Sequence, residues 1–199
     1  MTVISVIIGS TRQGRFAEKP AHWILEHLKK RPALDVRLLD LKDFAMPFFD
    51  APMPPAMPGR PPFEDDIVRR WTAAIAQSDG FVFVVPEYNS GMPAVLKNAI
   101  DWVYQEWHRK AAAVVSYGAV MGASSAGQLR QTLVGPQVAV VPKSVKIPPA
   151  PLWAHFRGDD VSAGLAEVDG QLAEMIDDLL WWTDALKSAR ANLPQAHAA

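Results

Sequence analysis

A chain of 199 residues, of which 49% are hydrophobic, has enough apolar material for one substantial core, and we expect one domain rather than two. Its 20 lysine and arginine residues nearly balance its 21 aspartate and glutamate residues, so the net charge of -1 gives no reason to expect nucleic acid or an anionic membrane as a partner. The absence of cysteine excludes disulfides, thiolate catalysis and cysteine-ligated metals.

The N-terminal stretch MTVISVIIGS is apolar, but it carries no basic n-region and ends in a turn motif. No stretch of the chain approaches the roughly 18 uninterrupted apolar residues of a membrane span. We therefore expect a soluble, cytoplasmic protein with a single domain over residues 1–191. A flexible tail is predicted from Asn192 to Ala199, where the residues are small and polar.

Short apolar segments alternate along the chain with longer segments of helical periodicity. The apolar segments are nearly continuous, which is typical of parallel strands covered on both faces. The predicted strands are Val3–Ile8, Val36–Leu41, Gly80–Val85, Ala111–Ser116 and Val138–Val141. The predicted helices are Glu18–Lys30, Glu64–Gln77, Ala94–Trp107, Gly127–Leu133 and Leu165–Arg190. This order predicts a doubly wound α/β sandwich, in which ligands bind beyond the carboxyl ends of the strands.

One segment, Met46–Pro62, breaks this alternation because seven of its seventeen residues are proline. It cannot form a helix. Two interpretations remain open: an extended loop that follows the surface, or a lid or partner-binding arm that uses its Phe and Met side chains.

The first turn, GSTRQGRF at residues 9–16, follows the first strand and leads into a helix. Hydroxyl groups of Ser10 and Thr11, guanidinium groups of Arg12 and Arg15, and backbone N–H groups at a helix N-terminus are suited to a phosphate. A P-loop is excluded because Lys and Ser or Thr are missing after its second glycine, and G-x-G-x-x-G is absent as well. The alternative is a capped turn with solvent-exposed arginines.

The second turn runs from Glu87 to Met92, between a buried strand and a helix that starts just after Pro93. A rigid run of backbone amides here suits the edge of a flat heteroaromatic ring with alternating carbonyl and N–H groups. Tyr88 and Asn89 could instead serve local packing and an Asx turn.

The third turn, SYGAVMGAS at residues 116–124, again follows a strand. Gly118 and Gly122 allow close backbone approach to a ligand or positive φ. In the strand order 2-1-3-4-5 the ends of strands one, three and four are neighbours, so the three turns would define a single crevice.

Together, GSTRQGR, PEYNSGMPAVLKNAIDWVYQEW and KAAAVVSYGAVMG followed by QLRQTL resemble the NADPH-dependent FMN reductase family of flavodoxin-like proteins, especially its quinone and azo reductase branch. The match runs in order from about Val3 to Pro148. The resemblance implies a flavodoxin-like three-layer sandwich with a five-stranded parallel sheet in the order 2-1-3-4-5. It also implies tightly bound FMN, NADPH or NADH as co-substrate, and a homodimer or homotetramer in which neighbouring subunits complete the active site.

The resemblance further implies which residues hold the cofactor. The FMN phosphate would be held by Ser10, Arg12 and Arg15, with Thr11, Gln13 and Phe16 close by. The isoalloxazine would be lined, mainly by backbone groups, along Pro86, Glu87, Tyr88, Asn89 and Ser90. Its other side would be bordered by Ser116, Tyr117 and Gly118.

No catalytic acid, base, nucleophile or metal site is predicted. The five histidines form no ligand cluster and G-x-S-x-G is absent, which argues against metal catalysis and a serine hydrolase. Hydride transfer needs no such side chain, because the flavin carries the difficult chemistry.

The tryptophans could stack on flavin or quinone, but large aromatics on helices are more often core or interface anchors. We expect the helix Ala94–Trp107 to lie at a subunit interface. In the last helix, Trp181 and Trp182 point about 100° apart, so one should face the core and the other a neighbouring surface.

Three functions follow, in descending order. The first is an FMN-dependent NAD(P)H oxidoreductase that passes electrons to a quinone, azo compound, free flavin or similar small acceptor. The second is an FMN-binding regulatory or protein-contact module with incidental reductase activity. The third, a one-electron flavodoxin carrier, is disfavoured because such carriers have a Ser/Thr-rich phosphate loop and a strongly acidic surface.

Overall fold

A computed structural model describes residues 1–192 and shows one parallel five-stranded sheet. The strands are β1 (Thr2–Ile8), β2 (Leu34–Asp40), β3 (Gly80–Pro86), β4 (Ala111–Tyr117) and β5 (Ala139–Lys146). Their order, β2-β1-β3-β4-β5, confirms the prediction. All of the predicted tail except Asn192 lies outside the described residues.

Helices cover both faces of the sheet. They are α1 (Glu18–Lys29), α2 (Asp66–Gln77), α3 (Ala94–Asp101), α4 (Ala123–Val134), α5 (Pro149–Arg157), α6 (Ser162–Ala166) and α7 (Asp169–Ala191). One core contains residues of α1, α5, α6 and α7, and the other contains residues of α2, α3 and α4. Every residue of β3 and β4 is buried, because both strands lie inside the sheet and are covered on both faces. The chain is therefore a three-layer α/β sandwich.

The predicted helix Ala94–Trp107 is wrong at its C-terminal end. The α-helix stops at Asp101, and only Gln105–Trp107 forms a further 3₁₀ turn. Trp107 is fully buried and packs edge-on against Phe81, with ring centroids 4.8 Å apart. Trp102 is also buried and donates a hydrogen bond to the Pro47 carbonyl. Both tryptophans therefore pack in the core of the chain.

The C-terminal prediction also needs correction. The predicted helix Leu165–Arg190 is two helices, α6 and α7, and the preceding helix α5 was not predicted. Trp181 and Trp182 are 66% and 36% exposed, so the expectation that one of them faces the core was wrong.

The proline-rich segment has no helix, as predicted, and is fastened to α3 at its start. The Pro47 carbonyl accepts hydrogen bonds from Asn98 Nδ2 (2.8 Å) and Trp102 Nε1 (2.9 Å). Phe49 N donates to Asn98 Oδ1 at 2.8 Å. The segment thus lies on the surface as a loop with turns within residues 55–59, and Phe48 is 78% exposed. Across residues 1–192, no helix combines the length and apolar character that crossing a membrane requires.

Candidate functional site

The three predicted turns meet at the carboxyl end of the sheet and enclose a cavity of about 350 Å³. Eight of the fourteen predicted site residues line it: Arg12, Arg15, Phe16, Pro86, Glu87, Tyr88, Tyr117 and Gly118. Four further lining residues were not among the predicted ones: Ala119, Leu152, Trp153 and Phe156. The other six predicted residues, Ser10, Thr11, Gln13, Asn89, Ser90 and Ser116, lie in the same turns but outside this lining. The three turns therefore border a single crevice, as predicted.

The first and second turns are joined by hydroxyl groups. Ser10 is fully buried, and its Oγ lies 2.7 Å from the Tyr88 hydroxyl oxygen, so one hydroxyl donates to the other. The same Ser10 Oγ accepts a weak hydrogen bond from Arg12 N at 3.4 Å. Ser10 therefore fixes both the path of its own turn and the position of the Tyr88 ring.

Arg15 is buried, and its guanidinium is committed to carboxylates of the protein. It donates from Nη1 to Asp40 Oδ1 at 2.8 Å and from Nε to Glu18 Oε1 at 3.0 Å, and it also contacts the Ser10 carbonyl. Burial opposes the charged form of Asp40, but the hydrogen bonds from Arg15 and Lys42 N, together with the positive charges of both residues, outweigh it, and the pKa of Asp40 is lowered. The pKa of Arg15 is raised, because its partners outweigh the opposing effect of its own burial. The geometry thus gives Arg15 a role in shaping the turn.

Arg12 differs from Arg15, although both border the cavity. Its side chain is exposed, and its guanidinium carbon lies 5.4 Å from the centre of the Phe156 ring. Within residues 1–192 the structure records no carboxylate partner for Arg12. Arg12 therefore supplies a positive charge that an anionic ligand can neutralise.

The second turn has the geometry of a two-residue hairpin. Tyr88 N donates to the Gly91 carbonyl at 2.9 Å, and Gly91 N donates to the Tyr88 carbonyl at 3.1 Å. Asn89 and Ser90 between them have φ of 49° and 62°, as in a type I′ turn, which needs positive φ at both central residues. The turn is closed by this backbone pair, and no Asx hydrogen bond from Asn89 is found among the described residues.

Two glycines of the third turn are required by close contacts. A Cβ on Gly118, which has φ of 153°, would lie 3.1 Å from Glu87 Cβ. A Cβ on Gly122, which has φ of 70°, would lie 2.7 Å from Tyr117 N. Ser116 is buried, and its hydroxyl donates to the Met121 carbonyl at 2.8 Å. Ser116 and Gly122 thus let the turn close on itself, and Gly118 lets it approach the second turn closely.

Helix α4 connects the second and third turns. Glu87 Oε2 accepts hydrogen bonds from Ser124 N at 2.8 Å and from Ser125 N at 3.3 Å. One turn further along the helix, Gln128 Oε1 accepts from Met92 N at 2.7 Å. Glu87 lines the cavity, but its carboxylate is hydrogen-bonded to the N-terminus of α4. We therefore do not assign it as a proton donor to a substrate.

Helix α5 forms a wall that the sequence did not predict. Trp153 and Phe156 border the cavity and are 52% and 46% exposed. His155 Nε2 lies 3.0 Å from the Gly14 carbonyl and so attaches the helix to the first turn. The signals in the sequence are Pro149 at the first helical position and Gly158, with φ of 81°, just after the last.

The Tyr117 hydroxyl is a buried polar group of the cavity without a hydrogen-bond partner of normal geometry among the described residues. Burial raises the pKa of Tyr117, so the phenol stays neutral and can donate a hydrogen bond. Its ring packs edge-on against Phe16 with centroids 5.1 Å apart. An open guanidinium and a tightly packed backbone edge fit the phosphate and planar ring of the cofactor that the resemblance implies.

Comparison with known proteins gives similarity over most of the chain. The family model described as NADPH-dependent FMN reductase matches residues 2–151. An NAD(P)H-dependent FMN reductase from a Nectria species is 37% identical over 178 residues, 87% of this chain and 85% of the relative. A quinone reductase from Pseudomonas putida is 30% identical over 138 residues, 66% of this chain and 69% of the relative.

The same fold is found in a solved structure. A flavoenzyme NAD(P)H:(acceptor) oxidoreductase from Paracoccus denitrificans superposes with a TM-score of 0.67 at 22% identity, over 93% of this chain and 98% of that one.

Proposed function

Because the chain belongs to the NADPH-dependent FMN reductase family, we propose that the cavity between the three turns holds FMN and that the acceptor is a quinone or a similar small aromatic compound. The protein is an NAD(P)H-dependent oxidoreductase with FMN as its cofactor. The observation that carries the proposed site is the convergence of the three turns on one cavity that contains the open guanidinium of Arg12.

The first turn would hold the phosphate. Arg12 supplies the charge-assisted contact, since its guanidinium is exposed at the cavity. Ser10 and Thr11 lie beside it, with Gln13 in the same turn. Arg15 would act indirectly, because its pairing with Asp40 holds the Ser10 carbonyl and hence the path of the turn.

The second and third turns would hold the ring. The backbone from Pro86 to Ser90 offers one edge, and Tyr117 and Gly118 border the opposite side. Tyr117 would border the ligand with its side chain, whose hydroxyl is buried. The ring would thus be positioned by rigid backbone, with one phenol beside it, and Phe16 would exclude water behind it.

When bound, FMN supplies the hydride and electron transfer chemistry, so the protein needs only to bind, orient and shield. Trp153 and Phe156 support an aromatic acceptor, because their exposed faces at the cavity rim can stack against a planar molecule. The quinone reductase among the relatives supports the same class of acceptor.

Purified protein reconstituted with FMN tests the proposal. We expect a yellow protein whose flavin absorbance bleaches on anaerobic addition of NADPH or NADH and returns when a benzoquinone is added. Failure to take up FMN would overturn the site. Uptake of FMN without bleaching by either nicotinamide would favour the regulatory module over the enzyme.

Arg12→Ala should weaken FMN binding about tenfold or more, since a hydrogen bond to a charged group contributes about 1.5–3 kcal/mol. Arg31→Ala is the matched control: it removes the same charge just after the far end of α1, where Arg31 pairs with Asp177 at 2.8 Å on the surface. Fluorescence quenching of FMN titrated into apoprotein measures both variants. Equal affinities of Arg12→Ala and Arg31→Ala would remove Arg12 from the phosphate site.

We also propose a homodimer or homotetramer located in the cytoplasm. Support for assembly comes from large apolar side chains exposed beside the third turn, with Val120 58% and Met121 41% exposed. Sedimentation equilibrium of the holoprotein tests the assembly, and imaging of a tagged chain in cells tests the location. A monomer at micromolar concentration would contradict the oligomer.

A further inference from the structure

Helix α4 has no N-terminal cap of its own. Its N-cap position is Gly122, which has no side chain and makes no capping hydrogen bond. The missing acceptor comes from another loop, because Glu87 Oε2 receives the N–H groups of Ser124 and Ser125 at 2.8 and 3.3 Å. A carboxylate there is favoured both by hydrogen bonding and by the positive end of the helix dipole.

A second contact holds the other end of the same loop. Gln128, one helical turn after Ser124, accepts the N–H of Met92 at 2.7 Å. The inner face of α4 is packed in the core through buried Ala126, Leu129 and Leu133. Both ends of the second turn are therefore attached to one helix that cannot easily move.

The turn between these two attachments has a conformation that its sequence does not favour. Asn89 and Ser90 both have positive φ, and Ser90 is neither glycine nor asparagine. Such residues persist only where the surroundings over-determine them. The three hydrogen bonds that Glu87 and Gln128 accept between the turn and α4 supply that constraint from outside the turn.

We propose that Glu87 and Gln128 are positioning residues that hold the flavin-facing backbone of the second turn in its binding conformation. This inference rests on the proposed function, because it assumes that FMN uses the turn. A preformed turn costs no ordering on binding, so its loss appears as weaker binding of FMN. Neither side chain needs to touch the reacting atoms.

The test compares Glu87→Ala with a cap of the same kind elsewhere. Asp65 caps α2 through Ile67 N (2.7 Å) and Val68 N (3.0 Å), away from the FMN cavity. Thermal unfolding of the apoproteins should give similar losses of Tm for Glu87→Ala and Asp65→Ala. In FMN titrations, Glu87→Ala should bind about tenfold more weakly, the scale of a lost cap, whereas Asp65→Ala should stay within about twofold of wild type.

Two more variants separate positioning from charge. Glu87→Gln retains an oxygen acceptor, so it should restore FMN affinity to within about threefold and restore the visible circular dichroism of bound flavin. Gln128→Ala removes the second attachment from an exposed position and should weaken FMN binding about threefold. If Glu87→Ala does not fold, the FMN titration of Gln128→Ala tests the positioning role by itself.

The outcomes are distinguishable. Wild type that takes up no FMN overturns the proposed function. Wild type that binds FMN while Glu87→Ala or a folded Gln128→Ala binds it equally well overturns the positioning role alone. Binding of FMN by Glu87→Gln that is as weak as its binding by Glu87→Ala would mean that FMN binding depends on the negative charge of Glu87 and not on the cap. That result would also overturn the inference.

Discussion

The two ends of the sheet use the same kinds of charged groups in opposite ways. At the amino end, Asp79 accepts hydrogen bonds from Val3 N at 3.0 Å, Lys187 Nζ at 2.7 Å and Arg190 Nη2 at 3.0 Å. Lys110 is buried beside them and donates to the Ile75 and Ala76 carbonyls at 2.7 and 2.9 Å. The charged groups named at this end have partners within the protein.

At the carboxyl end the pairing is incomplete. Arg15 is matched by Asp40 and Glu18, but Arg12 has no such partner among residues 1–192. Charged groups with internal partners stabilise the fold, whereas groups of the same chemistry without them are available to a ligand. The amino end thus ties α7 to the sheet, and the carboxyl end keeps binding capacity for a cofactor.

The largest effect should come from Arg15→Met, because Arg15 contributes both to the free energy of unfolding and to the shape of the first turn. Removing a buried guanidinium leaves Asp40 without its main partner and should lower the free energy of unfolding by about 3 kcal/mol. FMN binding should weaken as well, since Arg15 holds the Ser10 carbonyl. Urea unfolding and FMN titration measure the two effects. A loss of stability with unchanged FMN affinity would separate Arg15 from the site.

Asp79→Asn should lower stability without touching the site. It removes the charge that two cations share and should cost about 2 kcal/mol in the free energy of unfolding. FMN affinity should not change, since Asp79 lies at the opposite end of the sheet from the cavity. Any change in FMN affinity beyond about twofold would break the contrast between the two ends.

The contribution of Asp79 to the free energy of unfolding depends on pH. Burial opposes the charge of Asp79, but hydrogen bonds from Lys187 and Val3 N, together with the positive charges of Lys187 and Arg190, outweigh it, and the pKa of Asp79 lies below its ordinary 3.8. Asp79 therefore contributes stability above about pH 4, which is lost as the pH falls through the lowered value. The stability gap between wild type and Asp79→Asn should close in acid; a gap that persists there would contradict this assignment.

The smallest effect should come from Lys110. Burial, together with nearby Arg190, lowers the pKa of Lys110 from 10.5 to about 8. Between these values the unfolded chain binds more protons than the folded one, so stability should rise with pH. We expect a gain of about 1 kcal/mol between about pH 8 and about pH 9.5, because the two carbonyl acceptors favour the charged form and offset part of the burial.

Lys110→Met lacks this titration and serves as the control. Urea unfolding of both proteins at the two pH values gives the difference directly. Parallel changes in wild type and Lys110→Met would show that other groups govern the alkaline stability. Such a result would leave Lys110 as an ordinary helix C-terminal cap on α2.

The central strands β3 and β4 were predictable because they are buried on both faces, so that continuous apolar runs mark them directly. Strand β5 was predicted too short, since residues 142–146 are Pro, Lys, Ser, Val and Lys and only part of this stretch is buried. Helix α5 was not among the predicted helices; its Pro149 occupies the first helical turn, where it needs no N–H partner.

The turns of the site were predictable from their position after strands and from their glycines and hydroxyls. The partners of their side chains were not. Glu87 meets α4 across 37 positions of sequence and Arg15 meets Asp40 across 25, and no local pattern encodes such contacts. The sequence therefore predicted where the cavity lies. It also led us to assign Glu87 and Arg15 to ligand binding, although both have structural partners within the protein.

Helix α5 has a consequence for how substrate preference can diverge among relatives. The family match ends at residue 151, whereas Trp153 and Phe156, which form the outer wall of the cavity, lie beyond it. His155 contacts Gly14 and Phe156 faces Arg12. Trp153 is therefore the position on this helix where a substitution can change which molecules enter while those contacts with the first turn remain. Two relatives can therefore share a cofactor site almost unchanged and still act on different acceptors.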